Sequence, residues 1–359
     1  MTDSSERLTG TQALAAQHAF DLTRLDQFMQ AHVQGYGGEL QLERFKGGQS
    51  NPTFKLSAGG KNYVLRRKPS GVLLPSAHAV DREFRVMQAL AGTDVPVPRV
   101  YALCGDPEVI GTAFYIMECV EGRILWDPSL PGMTPVQRAA HFDELNRVMA
   151  ALHRVDPQAV GLGDYGKPGN YIERQVGRWS KQYRAAETET VDAANQLMAW
   201  LPQHIPAGEQ VAIVHGDYRL DNVIFHPTEP RILAVLDWEL STLGHPLVDF
   251  AYHCMTWHIN SAGSRGLADL DLPALGIPTE QQYLQTYLKR IGRADVQAVS
   301  DADWTYYMVF NLFRAASISQ GIMARALQGN ASNAAALEAG KSARPLAEQA
   351  WALARRMGA

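Results

Sequence analysis

Cysteine is scarce: Cys104, Cys119 and Cys254 are the three in 359 residues. They are far apart in apolar surroundings, so neither a disulfide framework nor a zinc cluster is expected, and buried reduced thiols point to the cytosol. Long apolar runs are missing as well. No stretch approaches the roughly 18 residues that suggest a membrane span, and the polar start Met1-Thr2-Asp3-Ser4-Ser5-Glu6-Arg7 lacks the charged-then-apolar order of a signal peptide. There is no basic surplus either: a formal charge of −4 and a pI near 6.3 argue against a general nucleic-acid binder. Repeats and low-complexity tracts are lacking, apart from an Ala-rich patch at 333–336. What is present, 46% hydrophobic and 19% charged residues, is the composition of an ordinary folded cytoplasmic protein, long enough for two unequal lobes.

The pattern along the chain changes near residue 120. Before it, residues 12–33 read as a helix and 40–45, 53–57, 63–69, 96–101 and 114–118 as short strands, with one further helix over 77–91. Gly47-Gly48-Gln49-Ser50-Asn51 turns between the first two strands, and its amides could cover a triphosphate, although most such turns bind nothing. In the strand Tyr63-Val64-Leu65-Arg66-Arg67-Lys68, alternation puts Val64 and Arg66 on one face and Tyr63, Leu65 and Arg67 on the other. Laid on the kinase Val-Ala-Ile-Lys strand, Val64 faces adenine and Arg66 is the phosphate-facing cation, with Lys68 as the alternative. Glu83, beside the apolar face of the second helix, is the partner expected for Arg66; a solvent-exposed glutamate is the plain alternative. Cys119-Val120-Glu121-Gly122 reads as a hinge, and backbone groups of Glu118, Cys119 and Val120 are placed to hydrogen-bond adenine. The predicted domains are therefore 1–120 and 121–359, the second mostly helical.

Within the second domain, residues 171–186 form a helix on which Arg174, Arg178, Lys181 and Arg184 share about a third of the circumference. A solvated basic face and a dock for an anionic part of a substrate both fit. The most informative stretch follows. Val214-His215-Gly216-Asp217-Tyr218-Arg219-Leu220-Asp221-Asn222 lies between short apolar strands, and a further strand ends at Asp237. Asp217 and Asn222 have the spacing of a kinase catalytic loop, in which the Asp receives a hydroxyl proton and the Asn holds one Mg²⁺, with Asp237 as the other metal ligand. Asp249, in a buried helix, is expected to hydrogen-bond the loop backbone, and His153 to be a packed, hydrogen-bonded core residue. Arg314 and Arg325 lie among apolar and small residues, and either internal pairing or a cleft-facing position is compatible with that.

These residues resemble the aminoglycoside phosphotransferase family of kinase-like small-molecule kinases from about Phe45 to Leu327. The resemblance rests on His215-Gly216-Asp217 with Asn222, on Asp237-Trp238-Glu239, and on Leu243-Gly244-His245-Pro246 leading to Asp249. The stretches 63–69, 77–83 and 161–165 are similar to the kinase domain fused, in some larger proteins, to acyl-CoA dehydrogenases. The resemblance implies an α+β, protein-kinase-like bilobal fold with a small β-sheet N-lobe and a larger helical C-lobe. It also implies ATP with Mg²⁺ and transfer of the γ-phosphate to a hydroxyl. The branch implies a hydroxy acid or hydroxyacyl-CoA acceptor. Gly216 and Trp238-Glu239 depart from the protein-kinase His-Arg-Asp and Asp-Phe-Gly patterns, so control by an activation-loop phosphate is not expected. Arg219 falls where protein kinases place a lysine on the transferred phosphate and is assigned that role. An antibiotic kinase and a non-catalytic nucleotide-binding regulator are the rival readings. No membrane or nucleic-acid partner is expected, and a homodimer is left open.

Overall fold

The computed structural model describes residues 10–12, 20–46, 51–69, 79–167, 169–262, 266–292, 299–329 and 336–359. Six antiparallel strands form one sheet in the order β1-β2-β3-β4-β6-β5: β1 (Thr11–Gln12), β2 (Gln41–Phe45), β3 (Thr53–Ala58), β4 (Lys61–Arg67), β5 (Val100–Cys104) and β6 (Phe114–Glu118). Two-residue alternation divides β4 as expected. Tyr63 and Leu65 pack with Phe54, Leu56, Phe114 and Ile116 under helix α1 (Leu22–His32), whereas Val64 joins Tyr115 and Met117 on the opposite face, toward helix α2 (Val80–Leu90).

Three local expectations need correction. Gln12 is in β1, paired to Arg44, and the helix starts only after Asp21, whose carboxylate accepts from the Thr23 and Arg24 amides and so caps it; residues 13–19 lie outside the described residues. The strand expected at 96–101 runs from Val100 to Cys104, because Pro96 and Pro98 lack the N–H a ladder needs. The sheet consequently has six strands where five were expected.

The large lobe begins with a tight crossing. A Cβ on Gly122 would lie 2.3 Å from the Phe225 carbonyl oxygen, and the neighbouring Arg123 pairs with Phe225 as an isolated bridge. Helices α3 (Pro135–Arg154), α4 (Tyr171–Ala185) and α5 (Asp192–Trp200) follow. A Thr134–Gln137 capping box starts α3. Two small ladders then carry the predicted loop: β7 (Ala212–Val214) with β10 (Thr242–Gly244), and β8 (Val223–Phe225) with β9 (Ile232–Val235). Helices α6 (Pro246–Cys254), α7 (Glu280–Ile291), α8 (Asp301–Leu327) and α9 (Ala343–Arg356) complete the lobe, with α8 packed against α4, α6 and α9. Among the described residues no helix is long and apolar enough to cross a membrane.

Candidate active site

The loop after β7 is held from below. Asp249, at the start of α6, accepts from the His215 amide (2.8 Å) and the Gly216 amide (2.9 Å), and His153 Nε2 lies 3.2 Å from its Oδ2. Burial alone would raise the Asp249 pKa; His153, His215 and the amide donors outweigh it and hold the carboxyl below its ordinary value. The His215 ring donates through Nε2 to the Leu236 carbonyl (2.8 Å) and accepts at Nδ1 from the Asp217 amide. Gly216 has φ +82°, and a Cβ there would meet the Leu240 carbonyl oxygen at 2.8 Å, so the turn demands glycine.

Two polar residues of this loop meet the end of β9. Asn222 donates through Nδ2 to the Asp217 carbonyl (2.9 Å) and to Asp217 Oδ2 (3.0 Å), while its own carbonyl accepts from the Leu236 amide (2.8 Å). Asp237 then takes a left-handed conformation, φ 63° and ψ 58°, uncommon for a residue with a side chain and typical of functional turns. Its Oδ1 lies 2.5 Å from Arg66 Nη2. The donor set fits Mg²⁺. Both Asn222 amide hydrogens are used on Asp217, which leaves Oδ1 as an oxygen acceptor beside a carboxylate, and Mg²⁺ takes one or two protein oxygens and completes its shell with phosphates and water.

Arg66 reaches the site from β4. Its Nε is 2.9 Å from Glu83 Oε2, and its Nη2 also lies 3.6 Å from Glu239. Burial opposes the charged guanidinium, but Glu83, Asp237 and Glu239 more than offset it and keep the pKa above its ordinary value. Glu83 is itself enclosed, and accepts from Asn51 Nδ2 (2.8 Å) and the Tyr115 hydroxyl (3.0 Å). Burial pushes its carboxyl up against the pull of Arg66 and these donors. The Asn51 side chain is thus fully buried behind Glu83. Gly47, Gly48, Gln49 and Ser50 lie outside the described residues. Lys68 turns away to Asp81, 3.9 Å off. Val64 lies in the core face of β4, and Glu118, Cys119 and Val120 leave β6, with the Glu118 amide bonded to the Arg99 carbonyl.

Two stretches that looked unrelated in sequence meet here. Arg82 of α2 lies over the Tyr165 ring (4.1 Å) and donates to the Tyr165 carbonyl (2.7 Å), while Arg85 pairs with Asp164. The Tyr165 hydroxyl in turn bonds Ser241, next to β10. Helix α2, and with it Glu83, is therefore pinned to the large lobe beside the loop.

Around Asp217 the geometry adds residues that sequence reasoning missed or left undecided. The Tyr252 hydroxyl donates to Asp217 Oδ1 (2.5 Å); burial and then Asp217 push this phenol up, so it remains a neutral donor. Arg219 Nε lies 3.2 Å from the same oxygen, and Arg219 Nη2 lies 3.1 Å from Asp221. Arg314 donates to the Gly216 carbonyl (2.5 Å). Tyr252 and Arg314 stand 35 and 98 residues from their partners, and no short motif signals them. Of the basic positions on α4, Arg174 donates to the Lys167 carbonyl, Arg178 is exposed over the edge of Trp179, and Lys181 is exposed.

Known proteins fit this geometry. The model of the phosphotransferase enzyme family matches residues 41–283. Mouse acyl-CoA dehydrogenase family member 10 is 48% identical over 323 residues, 89% of this chain but 30% of its own length. Human acyl-CoA dehydrogenase family member 11 is 38% identical over 351 residues, 95% of this chain and 44% of its own. The chain thus spans less than half the length of these curated relatives. Among solved structures, a Ralstonia eutropha protein assigned to the aminoglycoside phosphotransferases is 58% identical, with a TM-score of 0.86 over 94% of this chain and 99% of its own. Choline kinase of Cryptosporidium parvum Iowa II, 12% identical with a TM-score of 0.63 over 94% of this chain and 96% of its own, shares the fold. The small β-sheet lobe, the helical lobe and the matched residues together place the chain in the phosphotransferase enzyme family.

Proposed function

We propose that the protein transfers the γ-phosphate of ATP to a hydroxyl of a small metabolite, a hydroxy acid or hydroxyacyl-CoA thioester. The observation that carries this reading is the convergence of Asp217, Asn222 and Asp237 at one loop edge, opposite Arg66. Asn222 and Asp237 would hold Mg²⁺, which when bound neutralises charge on the phosphates. Arg66, fixed by Glu83, would bind the phosphates from the sheet side. Asp217 aligns the acceptor hydroxyl and takes its proton as the oxygen attacks phosphorus; the bond to the β-phosphate oxygen breaks and ADP leaves. Arg219, within reach of Asp217, would steady the charge on the transferred group.

A hydroxyacyl acceptor is favoured by the relatives that are acyl-CoA dehydrogenase family members, and by the arginines around α4. A polycationic aminoglycoside would want carboxylates there. A nucleotide-binding regulator would have no use for a base held by Asn222, Tyr252 and Arg219. Asp217→Asn should lower turnover about 10²–10⁴-fold while Mg·ATP binding, followed by calorimetry, stays within about threefold. Wild-type turnover in that variant would falsify the mechanism.

A further inference from the structure

Arg314 is a cation enclosed in the large lobe without a counter-ion. It lies on α8 and is 7% exposed. Its Nη2 bonds one neutral group, the Gly216 carbonyl (2.5 Å), and among the described residues no carboxylate pairs with it. Its Nε is sealed from solvent and has no hydrogen-bond partner. The guanidinium lies over the rings of Tyr252 (4.5 Å) and Trp179 (5.3 Å), and Trp179 Nε1 is likewise enclosed and unpartnered. Ring faces return only about 2 kcal/mol to a desolvated cation, against several for burying the charge. A ligand oxygen would complete such a group. Its position says which part of a ligand: Tyr252, whose ring lies under the guanidinium, touches Asp217 through its hydroxyl. One tyrosine side chain separates Arg314 from the residue that would receive the acceptor's proton.

We propose that Arg314 and Trp179 form the acyl-oxygen subsite of the acceptor. They hold the carboxylate of a free hydroxy acid, or the carbonyl oxygen of its thioester, while the hydroxyl a few carbons away reaches Asp217. Both oxygens can accept from a guanidinium; the carboxylate also supplies the missing charge. The exposed Arg178 also lies over the Trp179 ring, 5.6 Å from its centroid. The assignment rests on the phosphotransferase reading above and deepens it by naming the feature that the acceptor must carry besides its hydroxyl.

The test compares phosphorylation of three matched compounds: a hydroxy acid, its coenzyme A thioester, and the alcohol lacking the acyl group, with the hydroxyl position varied along the chain. Wild-type enzyme should prefer the acid or the thioester over the alcohol by at least about 100-fold in kcat/KM, and whichever of the two leads identifies the oxygen that is bound. Arg314→Gln should shrink that ratio below about tenfold, mostly through KM, with Arg314→Lys intermediate. A merely structural arginine would lower all three rates by one factor and leave the ratio unchanged, which overturns the subsite. If Arg314→Gln does not fold, the wild-type ratio still decides: an alcohol used as well as the acid and thioester overturns it too. Failure of the parent reading looks different. No phosphorylation of any compound, or full activity in Asp217→Asn, sinks the reaction itself and the subsite with it, whereas phosphorylation with a flat ratio sinks the subsite alone.

Discussion

Arg66 and Arg314 are both enclosed arginines within reach of the same loop, one approaching from the sheet and the other from the longest helix, and their surroundings are opposite. Arg66 has Glu83, Asp237 and Glu239 within 3.6 Å; Arg314 has two rings and a carbonyl. On the helical side Asp249 stays ionised among its donors, but two of its neighbours on α6 resist charge. Tyr252 is pushed up by burial, and His253 beside it is pushed down to about 4 by burial, so both stay neutral around pH 7. The sheet side thus brings its own compensation, and its geometry is set before any ligand arrives. On the helical side Arg314 has two rings and a carbonyl but, among the described residues, no carboxylate, and in the proposed subsite the ligand supplies that complement.

The sharpest way to break this comparison is at Arg66. Arg66→Met leaves Glu83 buried without its cation, and such a half-broken pair costs about 3–5 kcal/mol, read as a lower urea midpoint. Adding Glu83→Gln should recover about half of that loss, because the amide keeps partners in Asn51 and Tyr115 without the stranded charge. If Arg66→Met is as stable as the wild type, the preset character of the sheet side is wrong.

The burial of His253 on α6 predicts a pH effect of similar or slightly smaller size. The folded His253 pKa of about 4 lies below the value of about 6.5 for an unfolded chain. Its contribution is therefore intact above pH 6.5 and is lost as pH falls toward 4, because the unfolded chain takes up a proton that the folded one refuses. The loss should approach about 3 kcal/mol by pH 4. His253→Gln, judged by urea midpoints at pH 7.5 and 4.5, should flatten that part of the profile; an unchanged slope would assign the acid sensitivity to other groups.

How much of this could be read from the letters differs between the two sides. The fold class was legible, and so was the placement of Asp217, Asn222 and Asp237 at the ends of short strands, because that spacing is local. The Arg66–Glu83 contact, expected from the kinase pattern with an exposed Glu83 as the alternative, is formed in the fold. Tyr252 was not legible and Arg314 was left between internal pairing and a cleft: both belong to helices whose apolar period hides a polar residue turned inward, and their partners are fixed only when α6 and α8 pack beneath the loop. Nothing in the letters of the turn at 47–51 signals that the Asn51 side chain holds Glu83, because that partner lies 32 residues away. The β1 strand was missed because two residues carry no alternation.

The mildest test concerns the alternation argument itself. Lys68 shares a face with Arg66 in an extended strand, and either could be the phosphate-facing cation on sequence alone. In the fold β4 ends at Arg67, and the Lys68 ammonium lies 3.9 Å from an exposed Asp81, a spacing at which a surface pair is worth about 0–1 kcal/mol. Lys68→Ala should therefore change stability by less than about 0.5 kcal/mol and Mg·ATP affinity by less than about twofold, or 0.4 kcal/mol. A tenfold loss of nucleotide affinity on Lys68→Ala would move the phosphate contact off Arg66. The three carboxylates around Arg66 would then serve to hold the lobes together rather than to prepare a phosphate site.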